Sequence, residues 1–259
     1  MKKIFLILLS VGLLSTTEMM AQTPTGRDVM LRVKNRPDGE TRQSEMELTL
    51  VKKNGNKRVR KLTSWAMDEG PDCKKVMFFT YPGDVKGTGF LTWDYDDMNR
   101  DDDKWLYLPA MKKTRRISGA SSKTDYFMGT DFTYGDMGGR NVDEDKHELL
   151  RQEERDGHRC WVVKSVPVDK REVYSYKVTW VRQDCDVVVY AEYYDKNKAL
   201  HRVFKASNIC QVQGFWTTLT LEMTNVQTGH STLMTMQNPR YDTSIDKSLF
   251  TVAKLEQGL

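Results

Sequence analysis

The pair Asn54-Gly55, set between two runs of extended character, constrains this chain more than any other local feature. Asn-Gly readily adopts the positive backbone angles of a tight hairpin turn, and before it Met46, Leu48 and Leu50 alternate with Glu45, Glu47 and Thr49. One face of the hairpin is therefore apolar, and the return strand covers residues 59–67. Residues 76–81 and 90–95 read as further strands with apolar groups on both faces. In residues 105–108, Trp105 and Tyr107 alternate with Leu106 and Leu108 until Pro109 ends the strand. Turn signals then recur at Asp156-Gly157, residues 183–185, residues 196–198, Gly214 and Thr228-Gly229, separated by runs rich in Val, Tyr, Trp, Thr and Phe. The spacing predicts a mainly β chain, a long antiparallel meander. Many long neighbouring strands twist and curl rather than lie flat, so the expected form is a strongly curved sheet, a half-barrel or barrel.

Few helices interrupt this rhythm. Asp28 can open a short amphipathic helix with Val29, Met30 and Val33 on one side, stopped by Pro37 and Gly39. Residues 244–255 read as a loop with a short helix or strand that packs Leu249, Phe250, Val252 and Leu255 onto the sheet. Between these lies a segment of different character. Lys112, Lys113, Arg115 and Arg116 form a basic turn or short strand, and residues 118–124 have the Gly and Ser content of a mobile loop. Phe127, Met128, Phe132 and Tyr134 then bring large side chains into a stretch punctuated by Gly129, Gly135 and Gly138. That is the composition of a lid. At the N-terminus, Lys2 and Lys3 precede an apolar run over residues 4–14, which reads as a secretory signal peptide cut after Ala21. A run of about 11 residues falls well short of the roughly 20 that span a bilayer. Residues 22–259 then form one exported domain, with no linker rich in Pro, Gly or Ser to divide it.

The formal net charge of +4 is spread over abundant charges of both signs, which is not the balance of a nucleic-acid binder. No catalytic motif of the G-x-S-x-G or H-E-x-x-H kind occurs, and His147, His158, His201 and His230 are scattered without metal-ligand spacing, so neither an enzyme, a cofactor nor a metal is expected. The acidic run over residues 94–103 fails the calcium-loop pattern at two of its required positions and reads as a solvated loop. Four cysteines in an exported chain permit disulfides. A fold-back centred between Asn197 and Lys198 would place Cys185 opposite Cys210, so a bridge is expected there, with Cys73 and Cys160 as buried small groups. Alternation nominates Met46, Leu48, Leu50, Phe79, Leu91, Trp93, Leu106, Leu108, Leu219, Leu221 and Met223 as the lining of an apolar cavity. Phe127 and Phe132 are its lid contacts.

The runs WLYLP at 105–109, RRI at 115–117 and FMGTDFTYGDM at 127–137 resemble the periplasmic outer-membrane lipoprotein-sorting protein family related to the carrier LolA. So do residues 39–55, 81–95, 225–232 and 248–256. The resemblance implies an open antiparallel half-barrel whose short helices cover the concave side. It also implies a periplasmic carrier that binds the acyl chains of lipoproteins or lipids and hands them between membrane partners, with an exporter of the resistance-nodulation-division type or an outer-membrane acceptor among them. The alternatives are a docking module with a filled core, or a binder of another apolar ligand serving a lipid exporter.

Overall fold

The computed structural model describes residues 23–259, and the expected signal peptide, residues 1–21, lies outside them. Helix α1 (Gly26–Lys34) starts with a capping box. The Thr25 hydroxyl accepts from the Asp28 amide, and the Asp28 carboxylate accepts from the Thr25 amide. Six strands follow: β1 (Thr41–Val51), β2 (Lys57–Glu69), β3 (Asp72–Tyr81), β4 (Gly89–Asp94), β5 (Asp103–Leu108) and β6 (Lys113–Ile117). A crossing segment, residues 118–144, carries the short helix α2 (Gly119–Thr124) and leads to β7 (Asp145–Arg155). Then come β8 (His158–Pro167), β9 (Tyr176–Arg182), β10 (Val188–Tyr194), β11 (Leu200–Val212), β12 (Phe215–Asn225), β13 (His230–Tyr241) and the C-terminal α3 (Val252–Gln257). The turn between β1 and β2 is the Asn-Gly hairpin, with Gly55 at φ +83° and Val51 paired to Lys57.

All thirteen strands form one antiparallel sheet in the order β6-β5-β4-β3-β2-β1-β13-β12-β11-β10-β9-β8-β7, so the sheet stays open between β6 and β7. It is strongly curved. Strands β3 and β9 are seven positions apart, which would be about 34 Å in a flat sheet. Yet Lys75 of β3 and Lys177 of β9 line the same cavity. The face that α1 and the crossing segment cover is therefore the concave one.

Strands β2 to β5 bury apolar groups on both faces, and cross-strand pairing sorts them. Leu62 pairs with Phe79, Met77 with Phe90, and Phe90 with Leu106, and all five belong to the concave-face cluster. Val76, Phe78 and Leu91 alternate with these and form the convex-face cluster with Phe250 and Leu255. The C-terminal helix thus covers the convex side, while α1 and α2 lie on the concave one. Gly89 is needed for this fit, because a β-carbon there would sit 2.6 Å from Leu255 Cδ1.

Two expectations are corrected here. Leu91 and Trp93 face the convex side, where Trp93 Nε1 donates to the Phe250 carbonyl at 3.0 Å. Phe90 and Leu91 are adjacent and both apolar, so alternation within β4 could not say which pointed inward. The expected Cys185–Cys210 bridge is absent, and all four cysteines are free thiols. The fold-back register was sound, since Tyr190 pairs with Lys205 and Tyr193 with Arg202. But β10 begins only at Val188, and Cys185 lies in the preceding turn, while Cys210 faces Thr217 across β11 and β12.

Candidate functional site: a lidded apolar concavity

The concave face has an apolar half and a charged half. In the apolar half, Met46, Leu48, Leu50, Phe79, Leu106, Leu108, Leu221 and Met223 pack in one cluster with Phe127 and Phe132. Leu219 is half-buried and shares the face of Leu221 and Met223 by alternation, but it lies outside that cluster. Phe90, Tyr134, Met137 and Met234 also belong to it, and none of these four was singled out by alternation as lining. The residues that close the cluster from above come from the crossing segment. Phe127 is fully buried, its ring 5.9 Å from Phe79, 5.3 Å from Phe90 and 5.6 Å from Tyr134. The apolar concavity is occupied by the chain's own aromatic side chains.

Local structure makes this cover compact. Residues 118–124, expected as a mobile loop, form α2, capped by Ser118. Tyr126 and Thr133 bridge, and the Phe127 amide donates to the Phe132 carbonyl, folding the tip into a tight loop with Met128 at φ +47° and Gly129 at φ +75°. Only Gly takes such angles without cost, so Met128 is strained, and its packing against the cluster holds it there.

Polar ties fasten the tip to the strands beneath. Arg202 of β11 is buried on the concave face, and its Nη1 donates to the Asp131 carbonyl at 3.0 Å and the Asp136 carboxylate at 2.6 Å. Burial works against the Asp136 carboxylate, but Arg202 and the Thr133 amide outweigh it, so its pKa lies below the ordinary value. Asp131 is itself buried and accepts from the Thr232 hydroxyl at 2.7 Å, while His230 Nδ1 lies 2.6 Å away. Arg60 of β2 donates to the Met128 carbonyl. Sequence reasoning missed Arg202. One signal could have found it. Arg202 shares the inward register of Phe204, Leu221 and Met223, and a lone arginine among apolar neighbours on a buried face demands an acidic or carbonyl partner.

The C-terminal end of the segment is anchored in the charged half. The Gly139 amide donates to Asp94, which also faces Lys75 at 3.1 Å and Lys104 at 3.7 Å. Arg140 binds Asp145 at 2.7 Å and Glu172 at 2.9 Å, and Lys177 approaches Asp145 at 3.3 Å. Burial pushes the Asp145 carboxyl up, yet Arg140 and Lys177 bring it down to about 2. These groups line two adjoining cavities of about 470 Å³ and 250 Å³ between the segment, α1 and the strands.

An open antiparallel half-barrel of this kind is shared with solved DUF1329 and LolA superfamily proteins. The chain belongs to the DUF1329 family. It is 30% identical to a DUF1329 family protein from Desulfovibrio piger, over 89% of this chain and 97% of that one, with a TM-score of 0.84. A Vibrio parahaemolyticus domain assigned to outer-membrane lipoprotein sorting is 29% identical over 89% and 98% of the two chains, with a TM-score of 0.83. A LolA superfamily protein from Nitrosomonas europaea shares the fold at 16% identity, with a TM-score of 0.70 over 90% of this chain and all of that one. A family model described as an uncharacterized protein matches residues 71–257. No curated protein matches the chain.

Proposed function

We propose that this protein is a periplasmic carrier, exported by residues 1–21, whose single domain takes the acyl chains of a lipoprotein or lipid into the concavity now filled by the lid. The observation that carries the reading is the exchangeable cover: Phe127, Phe132 and Met137 occupy an apolar basin, but specific ties at Arg202, Arg60 and Asp131 hold the tip in place. The magnitudes fit a swap. Exposing those three side chains costs roughly 5–9 kcal/mol. Burying a 16-carbon acyl chain returns about 12 kcal/mol. Displacing the lid by an acyl chain is thus affordable, while a lid lifted into water closes again. The sorting assignment of the Vibrio relative points to lipoprotein cargo, and a lipid exporter of the resistance-nodulation-division type or an outer-membrane acceptor fits as donor or receiver.

The test is to extract the purified protein with organic solvent and to titrate it with a fluorescent fatty acid, alongside Phe127→Ala and Leu221→Glu. Recovery of one amphiphile class, tighter uptake by Phe127→Ala and loss by Leu221→Glu are expected. Neither copurified lipid nor fatty-acid uptake in any of the three would leave a filled-core docking module as the better reading.

A further inference from the structure

Charge in this molecule is sorted along the strands. At one end lie the turns β1–β2, β3–β4, β5–β6, β8–β9, β10–β11 and β12–β13; at the other lie β2–β3, β4–β5, β7–β8, β9–β10 and β11–β12. The first set contains Lys52, Lys53, Lys86, Lys112, Lys170, Arg171, Lys196 and Lys198, against Asp84, Asp169, Glu172 and Asp195. Of those acids, Asp169 and Glu172 are already tied to Lys123. Lys57, Arg58 and Lys113 extend the basic rim at the adjoining strand ends. The second set contains Asp96, Asp97, Asp101, Asp102, Asp156, Asp184 and Asp186, against Arg100 alone. One rim of the half-barrel is basic and the other acidic.

The basic rim also shows more apolar side chains to water than the acidic rim, whose turns expose Met98 at 50%. Tyr81, Met111, Val168 and Val226 are 53%, 58%, 55% and 43% exposed, and all stand on or beside the turns of the basic rim. Lysines interleaved with single exposed apolar tips suit an interface whose outer layer is anionic and whose inner layer is apolar. The lid tip faces this rim too, tied to Arg60, Arg202, His230 and Thr232 near the same strand ends.

We propose that the basic rim docks on a lipid surface rich in anionic headgroups, with Tyr81 and Met111 entering the headgroup layer and the lid tip facing the bilayer. The docking rests on surface charge and not on what the concavity holds, so it stands or falls apart from the carrier reading.

The test is cosedimentation of the purified protein with vesicles of phosphatidylethanolamine and phosphatidylglycerol, and with phosphatidylcholine alone. Binding to the anionic vesicles only, weakening as salt is raised, is expected. The variant Lys52→Glu/Lys53→Glu/Lys112→Glu/Lys113→Glu should bind more than ~100-fold more weakly, since each lysine near the surface contributes roughly a fivefold factor. Asp97→Lys/Asp101→Lys, on the opposite rim, should bind like the parent. All four lysines are exposed, and unchanged thermal unfolding verifies that the variant is folded. Tyr81→Ser/Met111→Ser should lose the binding that survives high salt. Absence of binding to the anionic vesicles overturns the proposal, as does equal binding to phosphatidylcholine or an equal loss from both charge variants. The first of these outcomes would turn attention to an acidic protein surface as the partner of this rim.

Discussion

Strands β2 to β5 are covered twice, once on each face, and the two covers are built differently. On the convex face Phe250 and Leu255 lock into Val76, Phe78 and Leu91 chiefly by apolar contact, over a glycine that leaves no room for a side chain, with single hydrogen bonds from Trp93 to the Phe250 carbonyl and from Thr114 to Glu256 beside it. On the concave face Phe127, Phe132 and Tyr134 are as deeply buried, but their backbone is irregular, strained at Met128 and fastened by Arg60, Arg202 and Thr232 reaching from distant strands. A cover held chiefly by apolar contact is a permanent one. Directed polar ties across a cover make one with a defined closed position, and therefore a defined way to open.

Four substitutions and a pH change can break or sharpen this contrast. Phe250→Ala should cost about 3–5 kcal/mol of global stability, seen as a lower denaturant midpoint, while lid amides exchange as in the parent until the whole domain unfolds. Faster exchange confined to residues 126–137 in that variant would erase the distinction between the covers. Arg202→Met leaves Asp136 and the Asp131 carbonyl without their buried partner, at a cost of about 3 kcal/mol. Here the effect should appear as faster hydrogen exchange in residues 126–137 with little change in the thermal midpoint. Arg60→Ala removes one tie to the Met128 carbonyl and should loosen the same amides by only about 1 kcal/mol. Lowering the pH should act last and least. The Asp136 pKa is depressed in the folded protein, so its tie contributes fully above the unfolded carboxylate pKa and is lost as pH falls through the folded value. Lid exchange should therefore quicken only under acid conditions, below the ordinary aspartate range, and Asp136→Asn should abolish that dependence.

Much of the architecture could be read in the residues. Asn54-Gly55, Asp156-Gly157 and Thr228-Gly229 each mark a hairpin because glycine accepts the positive φ that the turn needs, and Gly55, Gly157 and Gly229 all adopt it. The aromatic segment after Ile117 was visible as a separate cover because large side chains separated by glycines fit neither a helix nor a strand. The face of β4 was not legible. Both Phe90 and Leu91 are apolar, and only the pairing of Met77 with Phe90 settles which lines the concavity. Nor were the ties to the lid, since Arg202 meets Asp131 and Asp136 across 66 or more residues, and no local spacing encodes that meeting. The missing disulfide has the same origin: a correct register was extended past the point where the strand had already turned.

The strand order carries one more consequence. Strands β1 to β6 pair only with sequence neighbours among themselves, as do β7 to β13, and a single long-range ladder, β1 against β13, joins the two runs. Because the chain is synthesised from its N-terminus, β1 emerges long before its partner, and Leu50 waits for Thr232. Until then β1 is a bare sheet edge with Leu48 and Leu50 beside it, the kind of surface that recruits other chains. The seam between β1 and β13 is the last the sheet can close, and the time spent before closing is when this protein is most exposed to misassembly.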